Sequence, residues 1–457
     1  MKKTIAARLQ EQREHKPNPV LYAILRLVVA IIGAPLKIKF IYKARPAEDK
    51  GPIVLVANHA SRIDYVYTAP AVGSKRLNYV VGYNEFFVFP TNILLKVAQV
   101  IPKRNFTPDL HAVQSMMRII REGGNICFMP EGMNSITGMA QPVMWGTGKL
   151  LRKLGVNVYY TKIKGGYLSN TKHCQKQRPG RTEVVVDRMF TADELKQLSD
   201  VQIEDRMNRL LAHDDYMWNA VEKIKFDAKG RPAEKLETLL YMCPKCGAMH
   251  KMVSDATTLT CTECGNKVEI DEYGAIRPAG PDSVCPPLVT DWTLLERKRA
   301  ASDVREPGFS YSGHVRIGLL PDYKYLTGGK TSEICGDGTL TLSAAGLHFD
   351  GTVKGGHASW DIPISVLPTF GMCTDISRFY TFLGGEFWEF YPDGSDALRG
   401  TTSLKKCTVS REASGRIRPI GTMNPGIPRR TGCPSVRAKQ YGPESCGRRS
   451  CSVCILP

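Results

Sequence analysis

A histidine and a carboxylate stand five positions apart in this chain, in the run Asn58-His59-Ala60-Ser61-Arg62-Ile63-Asp64, directly after the apolar residues 53–57. On one continuous helix this spacing would turn the two side chains to different faces, so they can meet only if a helix begins between them. We therefore predict that His59 lies in a loop after a strand. Ser61 is then expected as the helix N-cap and Asp64 as the third helical residue.

A carboxylate beside an imidazole supports one kind of chemistry, the activation of a hydroxyl. The carboxylate fixes the tautomer of the ring and stabilises the imidazolium, and the other ring nitrogen then removes a proton from an attacking alcohol. The alternative is purely structural: Ser61 and Asp64 form a capping box, and His59 is a loop histidine without a catalytic role.

Two further groups of residues follow in order. Val100-Ile101-Pro102-Lys103-Arg104 carries two cations, and Phe128-Met129-Pro130-Glu131-Gly132-Met133-Asn134-Ser135 closes the apolar run 125–129. With Asn58–Asp64 and the apolar run 156–160, these groups resemble the four sequence blocks of the glycerolipid acyltransferase superfamily, the lysophosphatidic acid acyltransferase-like enzymes. The resemblance covers roughly residues 45 to 230.

The match differs in quality from block to block. The first block agrees with the family pattern N-H-x-S-x-x-D at every specified position, and Pro130, Glu131, Gly132 and Ser135 agree in the third. Asn134 replaces the arginine of the family's third block, and the fourth block lacks its proline. The acceptor headgroup is therefore open.

The resemblance implies an enzyme that moves a fatty acyl group from acyl-CoA or acyl carrier protein to a lysophospholipid hydroxyl, such as that of 1-acyl-glycerol 3-phosphate. His59 would be the general base and Asp64 the residue that orients it, with no catalytic metal. The implied substrate-binding residues are Asn58, Ser61, Lys103, Arg104, Glu131 and Gly132. Taken without the family, a solvated surface pair is the better interpretation of Lys103 and Arg104, and an ordinary strand-end turn is the better interpretation of Glu131 and Gly132.

The pattern of apolar residues predicts an α/β acyltransferase domain with a mostly parallel sheet. The loops after strands 53–57 and 125–129 should open at the same edge of that sheet, where open α/β sheets bind ligands. The predicted strands are 53–57, 78–82, 125–129, 156–163 and 182–186, and the predicted helices 62–71, 92–98, 108–122, 144–154 and 191–211.

Residues 20–36 form an apolar stretch that is short for a membrane span and is interrupted by Arg26, Gly33 and Pro35. Lysines and arginines lie on both sides, where lipid phosphates would be. We expect residues 1–44 to form a membrane-interfacial segment, so that the protein is cytoplasmic and peripheral (monotopic) on the cytoplasmic face. A signal peptide and a buried core helix are the alternatives.

Two Cys-x-x-Cys-Gly motifs, at Cys243/Cys246 and Cys261/Cys264, have the spacing of a zinc ribbon. Four thiolates leave no open position on the metal, so a structural zinc is expected. A pair of disulfides is the alternative.

The remaining chain changes character after Pro278. Short segments separated by Gly/Asp turns predict a small β-rich domain, with a faint resemblance to pleckstrin-homology or GRAM-type modules. From about Ser403 the chain loses periodicity and cannot bury a core. We predict five regions: 1–44, an acyltransferase domain at 45–232, a zinc ribbon at 233–275, a β-rich domain at 276–400 and a disordered basic tail at 401–457.

Charge does not decide between functions. The formal charge is +18, but the last 57 residues hold eleven Lys/Arg against two Asp/Glu and so supply +9 of it. The other half suits anionic lipids or nucleic acid equally. The main alternative to the enzyme is therefore a zinc-ribbon module that binds nucleic acid or protein and has a vestigial acyltransferase site. Acidic residues near the ribbon weaken this alternative, and no specific nucleic acid partner is expected.

Overall fold

The computed structural model describes residues 3–364, 370–373, 375–394, 397, 399–400 and 402–403. The predicted tail at 401–457 lies outside the described residues, apart from 402–403. The α-helices are α1 (Ile5–Glu11), α2 (Pro19–Gly33), α3 (Tyr65–Ala71), α4 (Thr91–Val97), α5 (Leu110–Arg121), α6 (Thr147–Leu154), α7 (Gly166–Ser169), α8 (Ala192–Gln197), α9 (Asp200–Leu211), α10 (Asp215–Glu222) and α11 (Val289–Asp303).

The strands fall into three sheets. The first contains β1 (Lys39–Tyr42), β2 (Ile53–Ala57), β3 (Leu77–Gly82), β4 (Ile101–Lys103), β5 (Asn125–Phe128), β6 (Asn157–Lys164) and β7 (Glu183–Phe190). The second contains β8 (Met252–Ser254), β9 (Thr258–Cys261), β10 (Lys267–Ile270) and β11 (Ile276–Pro278). The third contains β12 (Ser310–Leu319), β13 (Glu333–Ser343), β14 (Gly346–Val353), β15 (Gly356–Pro363), β16 (Gly371–Met372), β17 (Phe379–Leu383) and β18 (Glu386–Pro392).

The first sheet has the strand order β1-β7-β6-β2-β5-β3-β4. Its pairs are parallel except for β6 with β7. All five residues of β2 are buried, as expected for a strand covered on both faces. The prediction of an α/β region with a mostly parallel sheet is confirmed.

Three strands of this sheet bring the sequence blocks to one edge. β2 and β5 are parallel neighbours, with Val56 opposite Phe128. β3 joins β5 to β4, again with parallel pairing. The carboxyl ends of β2, β5 and β4 therefore point the same way, and the loops that follow them carry the first, third and second blocks.

Some elements differ from the sequence-based prediction. The strands β1 and β4 were not predicted, because both are short and β4 contains Pro102, which an edge strand tolerates. The predicted helix 191–211 is two helices, since Ser199 begins a second capping box with Gln202 after the first at Thr191.

Helix α2 packs on the elements around the first sheet, but one side of the helix itself stays exposed. Tyr22 is buried, and its hydroxyl accepts a hydrogen bond from the Leu77 N–H at 3.1 Å. Arg26 donates to the carbonyl of Gly73. With the 3₁₀ turn that follows it, Pro19–Leu36 is the one helix in the described part of the chain that is long and apolar enough to cross a membrane, judged by length and composition alone.

The other two sheets are antiparallel, with orders β11-β10-β9-β8 and β15-β14-β13-β12-β18-β17-β16. The β-rich character predicted for the later chain is confirmed. Helix α11 was not predicted. The indole of its Trp292 donates to the Met242 carbonyl at 2.8 Å, and its buried Glu296 accepts from the Met242 N–H at 2.9 Å, so α11 braces the segment that leads into the first cysteine motif.

Candidate active site and cysteine cluster

The His59 and Asp64 side chains are in direct contact at the carboxyl edge of the first sheet. Nδ1 of His59 lies 2.8 Å from Oδ2 of Asp64. The Asp64 side chain is only 2% exposed, whereas that of His59 is 26% exposed. Oδ1 of Asp64 accepts from the N–H and from the hydroxyl of Ser61, both at 2.9 Å. The carboxylate is thus fixed on the ring, and the imidazole keeps access to solvent.

These contacts correct the prediction for Ser61. Helix α3 begins at Tyr65, and Asp64 rather than Ser61 is its N-cap residue. Asp64 reaches back to the Ser61 N–H, so residues 61–64 form a turn ahead of the helix. The helix was predicted to begin between His59 and Asp64, but it begins directly after Asp64, three residues later than expected, and both side chains lie ahead of it.

Asn58 and Ser61, predicted to bind substrate, hold the loop in place. The Asn58 amide donates to the Ile163 carbonyl at 2.9 Å and accepts from the Ile163 N–H at 2.7 Å, which ties the end of β2 to β6. Asn58 is 4% exposed and Ser61 is fully buried. Their contacts position His59 and Asp64, and substrate binding by them stays a prediction.

Glu131 connects the third block to the first. Its carboxyl group accepts from the His59 N–H at 3.0 Å and from the Gln141 N–H at 2.8 Å, and the His59 carbonyl accepts from the Ser135 N–H at 2.7 Å. Burial raises the pKa of Glu131 to about 8, and the two backbone donors limit that rise. Gly132 has a φ of +73°, which disfavours any residue with a side chain.

Lys103 and Arg104 leave β4 at the same edge, but their side chains differ. The Lys103 ammonium donates to the carbonyls of Arg104 and Thr107 at 2.7 and 3.0 Å, and burial lowers its pKa. The Arg104 guanidinium stacks over the ring of Tyr83 at 5.2 Å. Lys103 therefore shapes the loop, whereas Arg104 carries a charge that bridges no carboxylate among the described residues.

Lys172 was missed by the sequence analysis. Its ammonium is buried and donates to Oδ1 of Asn134 at 2.8 Å and to the Asn134 carbonyl at 3.3 Å. Asn134 stands where the family pattern has arginine. The block itself has therefore lost a cation at this position, but the Lys172 ammonium lies beside it. Asn134 was the only signal in the sequence, and it did not indicate which residue would supply the cation.

The four predicted cysteine ligands form a compact group, called here the cysteine cluster: Cys243, Cys246, Cys261 and Cys264. Their sulfur atoms all lie within 4.8 Å of one another. Cys243 and Cys264 are 3.7 Å apart and Cys246 and Cys261 are 3.9 Å apart, which excludes disulfide bonds in this structure. Gly247 and Gly265, which follow the second cysteine of each motif, have φ values of +74° and +71°. The cluster is thus able to hold a metal ion.

Part of the chain is similar to a known protein family and to a solved structure. Residues 39–163 match the family model described as Acyltransferase. The crystal structure of the 1-acyl-sn-glycerophosphate (LPA) acyltransferase PlsC from Thermotoga maritima is similar at 15% identity over 41% of this chain and 82% of that chain, with a TM-score of 0.32. None of the curated proteins is significantly similar to the chain. The family match does not favour the alternative of a binding module with a vestigial site. Residues 39–163 therefore carry an acyltransferase domain, which supports an acyltransferase enzyme.

Proposed function

We propose that the protein transfers a fatty acyl group from an acyl thioester to the hydroxyl of a lysophospholipid. The observation that carries the proposal is the 2.8 Å contact between His59 and a buried Asp64, beside a partly exposed imidazole. A base held in this way is suited to deprotonate a hydroxyl, which is the chemistry that an already activated thioester still requires.

The proposed reaction has two steps. With its Nδ1–H donated to Asp64, the neutral ring of His59 has its lone pair on Nε2, which takes the proton of the acceptor hydroxyl as the oxygen attacks the thioester carbonyl. The tetrahedral intermediate then breaks its carbon–sulfur bond, and the proton on His59 passes to the departing thiolate. Asp64 stabilises the imidazolium between the two steps. Neither a covalent acyl-enzyme nor a metal takes part.

The acceptor that fits best carries a phosphate, as 1-acyl-glycerol 3-phosphate does. Arg104 supports this choice because its guanidinium carries a fixed charge at the sheet edge and is suited to bidentate binding of phosphate oxygens. Glu131, by contrast, is buried against backbone N–H groups and is proposed to shape the pocket without touching the headgroup.

The test is transfer from radiolabelled acyl-CoA, and in parallel from acyl carrier protein, to a panel of lysolipids. We expect 1-acyl-glycerol 3-phosphate to be acylated faster than lysophosphatidylcholine, whose choline masks part of the phosphate charge. Transfer to none of the lysolipids from either donor, by protein with native circular dichroism, would overturn the proposal.

We propose that the cysteine cluster is a zinc ribbon with one structural zinc. A tetrahedral zinc with bonds of about 2.3 Å to sulfur requires sulfur atoms about 3.8 Å apart. The separations of 3.7 and 3.9 Å agree with that requirement. Four thiolates would fill the coordination sphere, so the metal would contribute to folding and not to acyl transfer.

We also propose that α2 lies in the membrane interface. Large apolar side chains on its uncovered side are between 43% and 67% exposed, namely Val20, Leu21, Ile24, Leu27, Val28 and Ile31. Such an apolar face, flanked by lysines, suits the boundary between headgroups and acyl chains.

Substitution of this face tests the membrane proposal better than truncation, since β1 follows closely and belongs to the first sheet. The triple variant Ile24→Ser/Leu27→Ser/Ile31→Ser should sediment with anionic vesicles far less than the wild type, while Val221→Ser, at a residue 79% exposed elsewhere, should not change sedimentation. Unchanged sedimentation of the triple variant would refute the interfacial role of α2.

A further inference from the structure

The third sheet contacts the acyltransferase domain through the short strand β16 and its neighbour β17. The Met372 N–H donates to Sδ of Met133, in the third block, at 3.0 Å. The Met372 carbonyl accepts from the Lys172 ammonium at 3.3 Å, and this ammonium also binds Asn134. β16 is thus joined, directly and through Lys172, to the loop that carries the third block.

β17 contacts the two residues that follow the second block. The Tyr380 hydroxyl accepts from the Asn105 amide at 3.2 Å, and the Tyr380 ring lies 6.3 Å from the ring of Phe106. Phe382, two residues along and so on the same face of the strand, lies 6.3 Å from the Tyr83 ring. Tyr83 is the ring on which Arg104 stacks. One face of β17 therefore holds the residues next to Arg104 and the aromatic partner of its guanidinium.

The two strands are built for this contact. Gly371 pairs with Tyr380, and a Cβ at Gly371 would overlap the Tyr380 ring, so the glycine allows the ring to lie across β16. Tyr380 is buried, and its ring packs against the ring of Phe387, with ring centroids 5.0 Å apart. Phe106 in turn lies 3.3 Å from the position that a Cβ on Gly132 would occupy, so the loop that follows the second block meets the third block here.

Charges from the third sheet act at this junction too. Burial raises the pKa of Glu85, whose carboxyl lies in the field of Arg62 from the first block and of Arg378 and Glu389 from the sheet. Arg378 donates to the fully buried Glu389 at 3.1 Å, and Glu389 stands opposite Tyr380 in the strand pairing.

We propose that the β16–β17 edge is a wall of the acceptor site, with Tyr380 as the positioning residue for the second block and Lys172 as the positioning residue for the third. The sheet acts through the loops: Tyr380 fixes Asn105 and Phe106 beside Arg104, and Lys172 fixes Asn134 beside Met133. The ligand concerned is the phosphate-bearing headgroup of the lysolipid, so the inference rests on the proposed function. It assigns the third sheet a part in acceptor selection, which packing alone would not give it.

The first test is steady-state kinetics of Tyr380→Phe, which keeps the ring and removes only the hydroxyl. Loss of a neutral hydrogen bond that orients the second block should raise the KM for 1-acyl-glycerol 3-phosphate about fivefold, with little change in the KM for acyl-CoA. Lys172→Met should raise the acceptor KM further. Tyr323→Phe, a matched change at a residue 53% exposed outside β16 and β17, is the control and should leave both KM values unchanged.

A double-mutant cycle separates positioning from general loss of structure. Asn105→Ala and Tyr380→Phe remove the two ends of one hydrogen bond, so the double variant should have the acceptor KM of either single variant. Full additivity, or equal effects on donor and acceptor, would overturn the proposal.

A second measurement does not depend on which lysolipid is used. In hydrogen–deuterium exchange, Tyr380→Ala should increase exchange at residues 104–107, and Lys172→Met should increase it at 132–135. A wild type that acylates no lysolipid would refute the proposed function, whereas unchanged exchange in these loops would refute the wall itself.

Discussion

The edge of the first sheet that we propose to be catalytic, called here the catalytic edge, carries His59, Glu131 and Arg104. It and the cysteine cluster were both predicted from the spacing of reactive residues, yet they are built in opposite ways. Each half of the cluster comes from one short motif whose glycine has a positive φ, and the four sulfur atoms lie within 4.8 Å of one another. At the catalytic edge, His59, Glu131 and Arg104 come from three loops that meet only because β2, β5 and β4 run parallel within one sheet.

The difference teaches what each site can do. The cluster offers a metal no open position, so a bound ion would stabilise the fold. The catalytic edge leaves the imidazole of His59 partly exposed while it buries Asp64, so a substrate can reach one partner and not the other. Variants at the two places should therefore fail in different assays.

Asp64→Asn should have the largest effect among the variants that keep every other contact of the edge. An amide cannot stabilise the imidazolium, so we expect kcat to fall by roughly 10²- to 10⁴-fold. Circular dichroism should stay native. Wild-type turnover by this variant would show that the pair with His59 is only a capping arrangement.

Cys261→Ser should affect the fold more than the chemistry. We expect loss of the single zinc, measured by mass spectrometry of metal content, and rapid proteolysis between about residues 233 and 278. Molecules that remain folded should lose far less of their kcat than Asp64→Asn does. Metal-free protein that resists the protease as well as the wild type does would contradict a structural metal.

Arg104→Ala should raise the KM for a phosphate-bearing acceptor by about 10-fold and change the donor KM little, because a charge-assisted contact is lost. Lys103→Ala should act less specifically, since the Lys103 ammonium binds two carbonyls of its own loop. Lys153→Ala, at an exposed residue, is the control. A donor KM raised as much as that of the acceptor would remove Arg104 from the headgroup site.

Replacement of Glu131 should give the smallest effect, a change in how the stability of the fold depends on pH. Its pKa is raised from 4.5 to about 8 by burial, so the folded protein favours the neutral form and loses stability as the pH rises from about 4.5 to about 8. The Tm of Glu131→Gln, measured relative to the wild type, should therefore improve between pH 5.5 and 8.5. A constant difference in Tm would contradict the buried, neutral carboxyl group.

Features of the fold that depend on residues close together in the sequence were predictable, and features that depend on distant residues were not. Apart from β4, the order of strands and helices from 53 to 163 follows the local apolar pattern, and parallel pairing then brings His59 to Glu131, 72 residues away. Helix α3 begins at Tyr65, later than predicted, because the carboxylate of Asp64 accepts from the Ser61 N–H and contacts His59, both of which precede it in the chain.

Contacts of longer range left no local signal. Met133 and Met372 are 239 residues apart, and although Met133 stands in the third block, nothing in the sequence marks Met372 as its partner. Helix α11 was missed because its apolar residues do not coincide with its buried side: Leu294 and Leu295 are exposed, whereas Thr290, Thr293 and Glu296 are buried. The sequence predicts the contact between His59 and Asp64 better than it predicts which elements enclose that pair.

The central claim is that His59 is the base for acyl transfer, and the initial rate of transfer from radiolabelled acyl-CoA to 1-acyl-glycerol 3-phosphate by His59→Ala tests it most directly. The imidazole contributes to the barrier and little to packing, so we predict a rate at least about 10²-fold below that of the wild type, with native circular dichroism and unchanged zinc content. A folded His59→Ala protein that transfers the acyl group at the wild-type rate would contradict the account.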